Sequence, residues 1–336
     1  MKFSALRTTA LVAFTSLLPF LPVAAQACAS CGCTLSSDWE NLNFASRGGF
    51  HLDLRYDYLN QNDLRAGRHT ITPPAASAIV NDGESQEVET YTENRYLTAS
   101  MDYSRGGNWG VNVQIPYIKR QHETLGTASD GVTPGEDGES YISDTGNFGD
   151  IRIVGRYALT EQHNAGLLFG IKLPTGKTNL TGTSTDATAP GPVTIDPGLQ
   201  PGTGTTDLIV GTYYAGVLNK NCEYFAQGLY QRAFDTVHGY RPGDGYNVNL
   251  GLKYMGFSLV RPQVQLNIRH VKHDTGANAD TGSTGGTLAY VSPGAAARVN
   301  DWMSVYAFVQ VPVYQDVRGV QLTPKYTASI GTRFSF

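Results

Sequence analysis

From about residue 48 to the last residue, apolar and polar positions alternate in segments of about ten residues. In the final segment Tyr326, Ala328, Ile330, Thr332, Phe334 and Phe336 share one face, and Lys325, Thr327, Ser329, Gly331, Arg333 and Ser335 share the other. The stretch 246–254 sets Tyr246, Val248, Leu250, Leu252 and Tyr254 against Asn247, Asn249, Gly251 and Lys253. A period of two places successive side chains on opposite faces of a strand. The pattern predicts twelve strands: 48–60, 93–104, 108–121, 148–159, 163–174, 205–217, 222–234, 244–256, 259–272, 286–298, 301–315 and 325–336. The alternation is weakest at 222–234 and 286–298.

The connections alternate in length. Residues 105–107, 160–163, 218–221, 255–258 and 300 are short; 61–92, 122–147, 175–204, 235–243, 273–285 and 316–324 are long and rich in Gly, Thr, Pro and Asp. Short turns at one end and long loops at the other describe an all-β, closed antiparallel transmembrane β-barrel with periplasmic turns and extracellular loops. A secreted β-sandwich is the rival, since it also alternates. Two features favour the barrel. The polar face carries mid-strand cations (Arg55, Arg95, Arg152, Arg156, Lys172, Lys253, Arg269, Arg333), and the apolar face ends in aromatics such as Tyr56, Trp109, Tyr117, Tyr157, Tyr254 and Tyr326. Such aromatics mark membrane interfaces. An even strand count puts both termini in the periplasm, with the chain in the cell outer membrane.

Composition agrees. Gly 38, Tyr 19 and Phe 13 in 336 residues suit an all-β chain rich in turns and aromatics. Lys2, Arg7, the apolar run 10–25 and Ala25-Gln26-Ala27 read as a signal peptide over 1–27. Losing Lys2 and Arg7 takes Lys+Arg from 25 to 23 against 29 Asp+Glu, and no basic cluster suggests nucleic acid. Residues 28–47 then form a cysteine-containing periplasmic segment, with room to fold back into the barrel, and 48–336 form the barrel.

The terminal segment "KYTASIGTRFSF" resembles the last strand of bacterial outer-membrane proteins, which implies that Phe336 is part of the signal read by the barrel-assembly machinery. A narrower resemblance covers about 145–216. "TGNFGDIRIVGRYAL", "AGLLFGIKLPTGKTN" and "GTGTTDLIVGTYYAG" are similar to barrels of the meta-pathway phenol-degradation family, through Gly149, Asp150, Gly170, Leu173, Pro174, Gly176, Gly204 and Asp207. That resemblance implies a transporter-like barrel for small molecules.

Enzymatic signatures are missing. "PTGKT" at 174–178 has Ile171 where a phosphate loop needs Gly, and it leaves a strand for a loop instead of opening a helix. No nucleophile elbow or paired-His helix appears, so a non-enzyme is expected; an outer-membrane lipid-modifying enzyme assembled from separate strands is the alternative. The candidate pore lining is Arg55, Arg152, Arg156, Lys172, Lys253, Arg269 and Arg333 with Asp53, Asp57 and Asp102. It reads either as a wet, salt-bridged interior or as a basic stripe that selects anions. The acidic loop 122–147 (Glu123, Asp130, Glu136, Asp137, Glu139, Asp144) reads as solvated, or as a site for hard cations.

Cys28, Cys31, Cys33 and Cys222 all fall at the turn end of this barrel. An oxidising periplasm favours disulfides. The spacing C-x-x-C-x-C also suits thiolate-bound Cu or Zn, and Cys28 is placed for lipidation. The expected partners are the outer-membrane bilayer, the assembly machinery and a small-molecule solute. A barrel scaffold with a periplasmic Cys-rich metal or redox site is the second reading.

Overall fold

Strand β1 (Gly49–Gly67) pairs on one side with β2 (Glu89–Ser104) and on the other with the last strand, β12 (Met303–Ser335), so the first and last strands seal the wall. The computed structural model describes residues 48–81, 84–135 and 139–336. The leader and the 28–47 segment lie outside the described residues. The wall continues antiparallel from β2 through β3 (Trp109–Thr124), β4 (Tyr141–Phe148) with β5 (Ile151–Ala158), β6 (Ala165–Leu173), β7 (Asp207–Asn219), β8 (Cys222–Ala233), β9 (Gly245–Tyr254), β10 (Val260–Val271) and β11 (Gly286–Arg298) to β12. Counting β4 and β5 as one interrupted strand gives eleven wall strands among the described residues. β12 makes two passes, its first part pairing with β11 and its second with β1, so there are twelve crossings.

Two expectations change. The predicted loop 316–324 is strand on both sides of a tight reversal at Gly319, where φ is 63°. Glycine meets little steric resistance in that region. Residues 141–147, expected within the long loop 122–147, belong to β4 along the loop-end half of β3; the strand expected over 148–159 is broken at Gly149 and Asp150, and β5 takes over along the turn-end half.

The polarity of the wall is that of a membrane barrel. Leu250 is 41% exposed while its neighbour Asn249 is 3% exposed. Leu54, Leu97, Phe169, Val264, Val311 and Ile330 are exposed, and Asn94, Gln227, Gln265, Asn267, Ser292 and Gln310 are buried. Contiguous apolar surface of this extent is not tolerated in water. It belongs in hydrocarbon, where an open sheet edge is also forbidden because no solvent pairs its N–H and C=O groups. Aromatic contacts mark the two rims: Phe50–Phe336 and Tyr103–Trp109 at 6.0 Å at the turn end, Tyr230–Tyr246 at 4.9 Å at the loop end. No helix of the described residues is long and apolar enough to cross a membrane, which says nothing about strands. Arg95 departs from its expected face: it lies loop-ward on the outer side and pairs with Glu93.

Leu250→Arg would set a charge on the outer face in mid-strand. We expect it to lower barrel stability in liposomes by about 2–4 kcal/mol, measured by guanidinium titration, whereas Asn249→Gln on the inner face should leave stability near that of the parent.

Candidate functional site

The interior charges are mostly compensated within the wall. Strand register sets Asp53 opposite Arg333 and Asp57 opposite Ser329. Arg333 lies 3.4 Å from Asp53, and Arg55 lies 2.8 Å from Asp57, which also accepts a hydrogen bond from Ser329 at 2.6 Å. Arg156 reaches across from β5 to Asp102 on β2 at 2.5 Å. Lys172 on β6 lies 2.9 Å from Asp150 and 3.1 Å from Asp207. Lys253 is buried; Arg152 and Arg269 are half-buried, and Arg269 donates to Asn247 at 3.3 Å. Opposite charges brought together at low dielectric remain ionised only when paired, so these carboxylates keep the cations inside.

The Lys172 site is more than a pair. One oxygen of Asp150 accepts the Gly176 N–H at 3.0 Å; the other accepts Lys172, the Thr203 N–H and the Thr203 hydroxyl, the last two at 3.0 Å. Asp207 accepts Thr205 at 2.7 Å and Gln231 at 2.6 Å. Thr175 bridges the strand break, donating to the Gly149 carbonyl at 3.1 Å and accepting from the Ile151 N–H at 2.9 Å. Gly176 and Gly202 bring their backbones together, and a Cβ on either would sit 2.6 Å from the other. The motif of Gly149, Asp150, Leu173, Pro174, Gly176, Gly204 and Asp207 is therefore a knot that ties both ends of loop 174–206 to the wall.

From that knot the loop turns inward. Its short 3-10 turn, Pro197–Leu199, meets Arg120 on β3, which donates to the carbonyls of Leu199 and of Gly198 and to Asn94 at 2.5 Å. Tyr141 donates to Asp196 at 3.1 Å, and Ile195 and Leu199 pack on Tyr141. Gln200 holds the Leu180 and Ile195 carbonyls at 3.0 and 2.8 Å. Burial pushes the Asp196 carboxyl up to about 8; the Tyr141 hydrogen bond opposes the shift, and repulsion from Glu89, Asp280 and Glu139 adds to it. Burial also raises Asp274 and Asp280, in the loop before β11, to about 6. Arg120 and Asp196 escaped the sequence reading, since nothing local links a mid-strand arginine to a loop carbonyl 79 residues away.

The other candidates are more dispersed. Cys222 opens β8 at the turn end, half-buried and with no disulfide partner among the described residues. Cys28, Cys31 and Cys33 lie outside the described residues, as does any Cu, Zn, disulfide or lipid there. Among the described residues no group of three or more His, Cys, Asp or Glu is set to hold a metal ion. In the acidic loop Asp130 accepts the Val132 and Thr133 N–H groups at 2.8 and 2.7 Å, an internal turn; residues 136–138 lie outside the described residues. A serine–histidine contact joins Ser335 to His51 at 3.0 Å, but the carboxylate of the adjoining row, Asp102, is engaged by Arg156. Phe336 is 73% exposed, and its N–H donates to the Phe50 carbonyl at 2.9 Å.

The fold is that of an outer-membrane β-barrel. The COG4313 outer membrane channel from Pseudomonas putida F1 is similar at a TM-score of 0.59 and 12% identity, with 86% of this chain and 96% of that one covered. The β domain of the Bordetella autotransporter BrkA (TM-score 0.48, 13% identity, 86% and 100% covered) and the Ralstonia pickettii toluene transporter TbuX (0.44, 12%, 86% and 90%) match more loosely. No family model and no curated protein sequence matches the chain.

Asp150→Ala should free loop 174–206 and leave the barrel closed. Breaking a buried pair costs about 3–5 kcal/mol, here borne by the loop. Limited proteolysis is expected to nick residues 175–205 in the variant only, with the heat-dependent gel shift of a folded barrel preserved.

Asp196 sets a pH dependence. Its folded pKa lies above the unfolded carboxylate value of roughly 4, so its contribution to loop packing is complete below that value. It is lost as pH climbs through about 8. Limited proteolysis of loop 174–206 from pH 5 to 9 should show the loop opening over this range. Asp196→Asn should weaken the component near 8 and retain one near 6 from Asp274 and Asp280.

Proposed function

We propose that this chain is an outer-membrane channel for small molecules, narrowed by loop 174–206, and not an enzyme. One observation carries the reading: a polar, charge-compensated interior has a loop tied at both ends and drawn inward onto Arg120. A wall built only for anchorage has no need of a buried Lys172–Asp150–Asp207 site. A solute path has such a need, because a loop inside a pore must be held against water and thermal motion. The fold shared with an outer membrane channel supports the same reading. So does the resemblance of 145–216 to the meta-pathway phenol-degradation barrels, which favours small aromatic or otherwise hydrophobic solutes; the inward cations extend the range to anionic ones.

In this reading the turns and both termini face the periplasm, and the long loops face outward. The C-terminal strand with Phe336 is the element that the assembly machinery engages. Phe336→Ser should reduce the folded fraction in cells several-fold without altering the stability of protein refolded in detergent.

Purified protein in planar bilayers is expected to show discrete conductance steps. Replacing residues 196–200 with Gly and Ser should enlarge them. A folded barrel that shows no conductance and no solute uptake in liposome swelling would refute the channel.

A further inference from the structure

A cavity of about 270 Å³ lies at the turn end of β10, β11 and β12. Arg261, Arg298, Asn300, Ser304 and Ser335 supply its polar lining, and Ala296, Ala297 and Met303 part of its apolar wall. Register explains the space. Arg261 stands opposite Ala296, and Arg298 stands opposite Ser304. Each arginine faces a small residue, so the width that a larger side chain would fill is left open. Gln263, Gln265 and Asn267 continue the face of Arg261 up the inner wall, all of them buried.

These two arginines differ from the inward cations that carry a counter-charge. Arg55, Arg156, Lys172 and Arg333 each meet an aspartate at 2.5–3.4 Å. Among the described residues neither Arg261 nor Arg298 has an ion-pair partner. Asp301 is the carboxylate on the lining; it is exposed in the turn and pairs with neither. Two guanidinium groups against one carboxylate leave a net charge of about +1, which matches a monoanion better than a dianion. Guanidinium forks match carboxylates in two parallel hydrogen bonds. The size fits as well: a cavity of roughly 150 Å³ admits benzene, so 270 Å³ holds a ring with a carboxylate attached.

We infer that the Arg261–Arg298 cavity is a binding site for small aromatic or short-chain monocarboxylates at the turn-end mouth of the barrel. The inference names a solute class for the proposed channel and rests on that reading for its role; the site itself stands on its own geometry. A carboxylate leaving the lumen would exchange its water for the two guanidinium groups there.

Ligand-observed NMR titration of the detergent-solubilised full chain provides the test, with benzoate as the probe and benzyl alcohol and inorganic phosphate as comparisons. Benzoate is expected to bind, benzyl alcohol to bind at least about tenfold more weakly, and Arg261→Gln and Arg298→Gln each to weaken benzoate by about tenfold, the loss of one charge-assisted contact. Ser304→Trp keeps both arginines but fills the cavity, and should abolish binding in a barrel that retains its heat-dependent gel shift. The inference is overturned if the folded parent does not bind benzoate, if both Gln variants bind it as the parent does, or if phosphate is preferred. Conductance of the same preparations separates the two readings. Conductance without benzoate binding removes this site and leaves the channel; benzoate binding without conductance removes the channel and leaves the site.

Discussion

The seam between β1 and β12 is the constraint on which everything else depends. In hydrocarbon an unpaired backbone N–H or C=O has no water to turn to, so the sheet has to meet itself. Thirteen consecutive residues of β1, Gly49–Gln61, pair with β2, while Asp53 and Arg333 meet across the other side of the same strand. The terminal amide of Phe336 adds one more bond, to Phe50. Once the cylinder is sealed, the pleat assigns every side chain to lipid or to the interior, and the period of two becomes a partition by polarity.

That partition creates a second demand. Cations placed inside a narrow, low-dielectric tube need counter-charges close by. The wall supplies them from nearby strands, with Asp53 on the strand next to Arg333 and Asp102 two strands from Arg156, across β3. At Lys172 the arrangement also does mechanical work. Asp150 follows Gly149 at the point where β4 gives way to β5, so its carboxylate is free of the ladder and can gather Gly176 and Thr203 from the two ends of a long loop. The break in the wall and the loop's anchorage are one feature.

Much of this was legible in the residues. The alternation in 246–254 and 325–336 identified strand, face and interior together, and the short turns showed as brief breaks between alternating segments. What escaped has physical causes. The segment "YISDTGNF" is polar on both faces because β4 stands at the loop end, where neither side is in hydrocarbon, so period-two contrast is absent. The reversal at Gly319 was hidden by Pro324 and by polar Gln321 and Thr323, which read as loop but are buried at 0% exposure for Gln321 and Thr323 inside the loop-end packing. The motif around Gly149, Asp150, Gly176 and Asp207 was visible as a pattern. Its role was not, because the Asp150–Thr203 contact spans 53 residues and only the barrel brings them together.

The charge pattern along the interior finally bears on what can pass. Where every cation has its aspartate, the wall presents dipoles to a solute, and the field along the path is weak. At the turn-end mouth Arg261 and Arg298 have no carboxylate partner among the described residues. A neutral solute would pass both regions with little change in energy. A carboxylate would meet an added attraction at the mouth. A channel needs binding that draws a solute forward yet releases it, and a single shallow site at one end of a charge-balanced tube meets both conditions. In the proposed channel such an arrangement raises solute occupancy at that end while the gradient alone sets the direction of flow, and it leaves the narrowing to the loop held by Asp150 and Lys172.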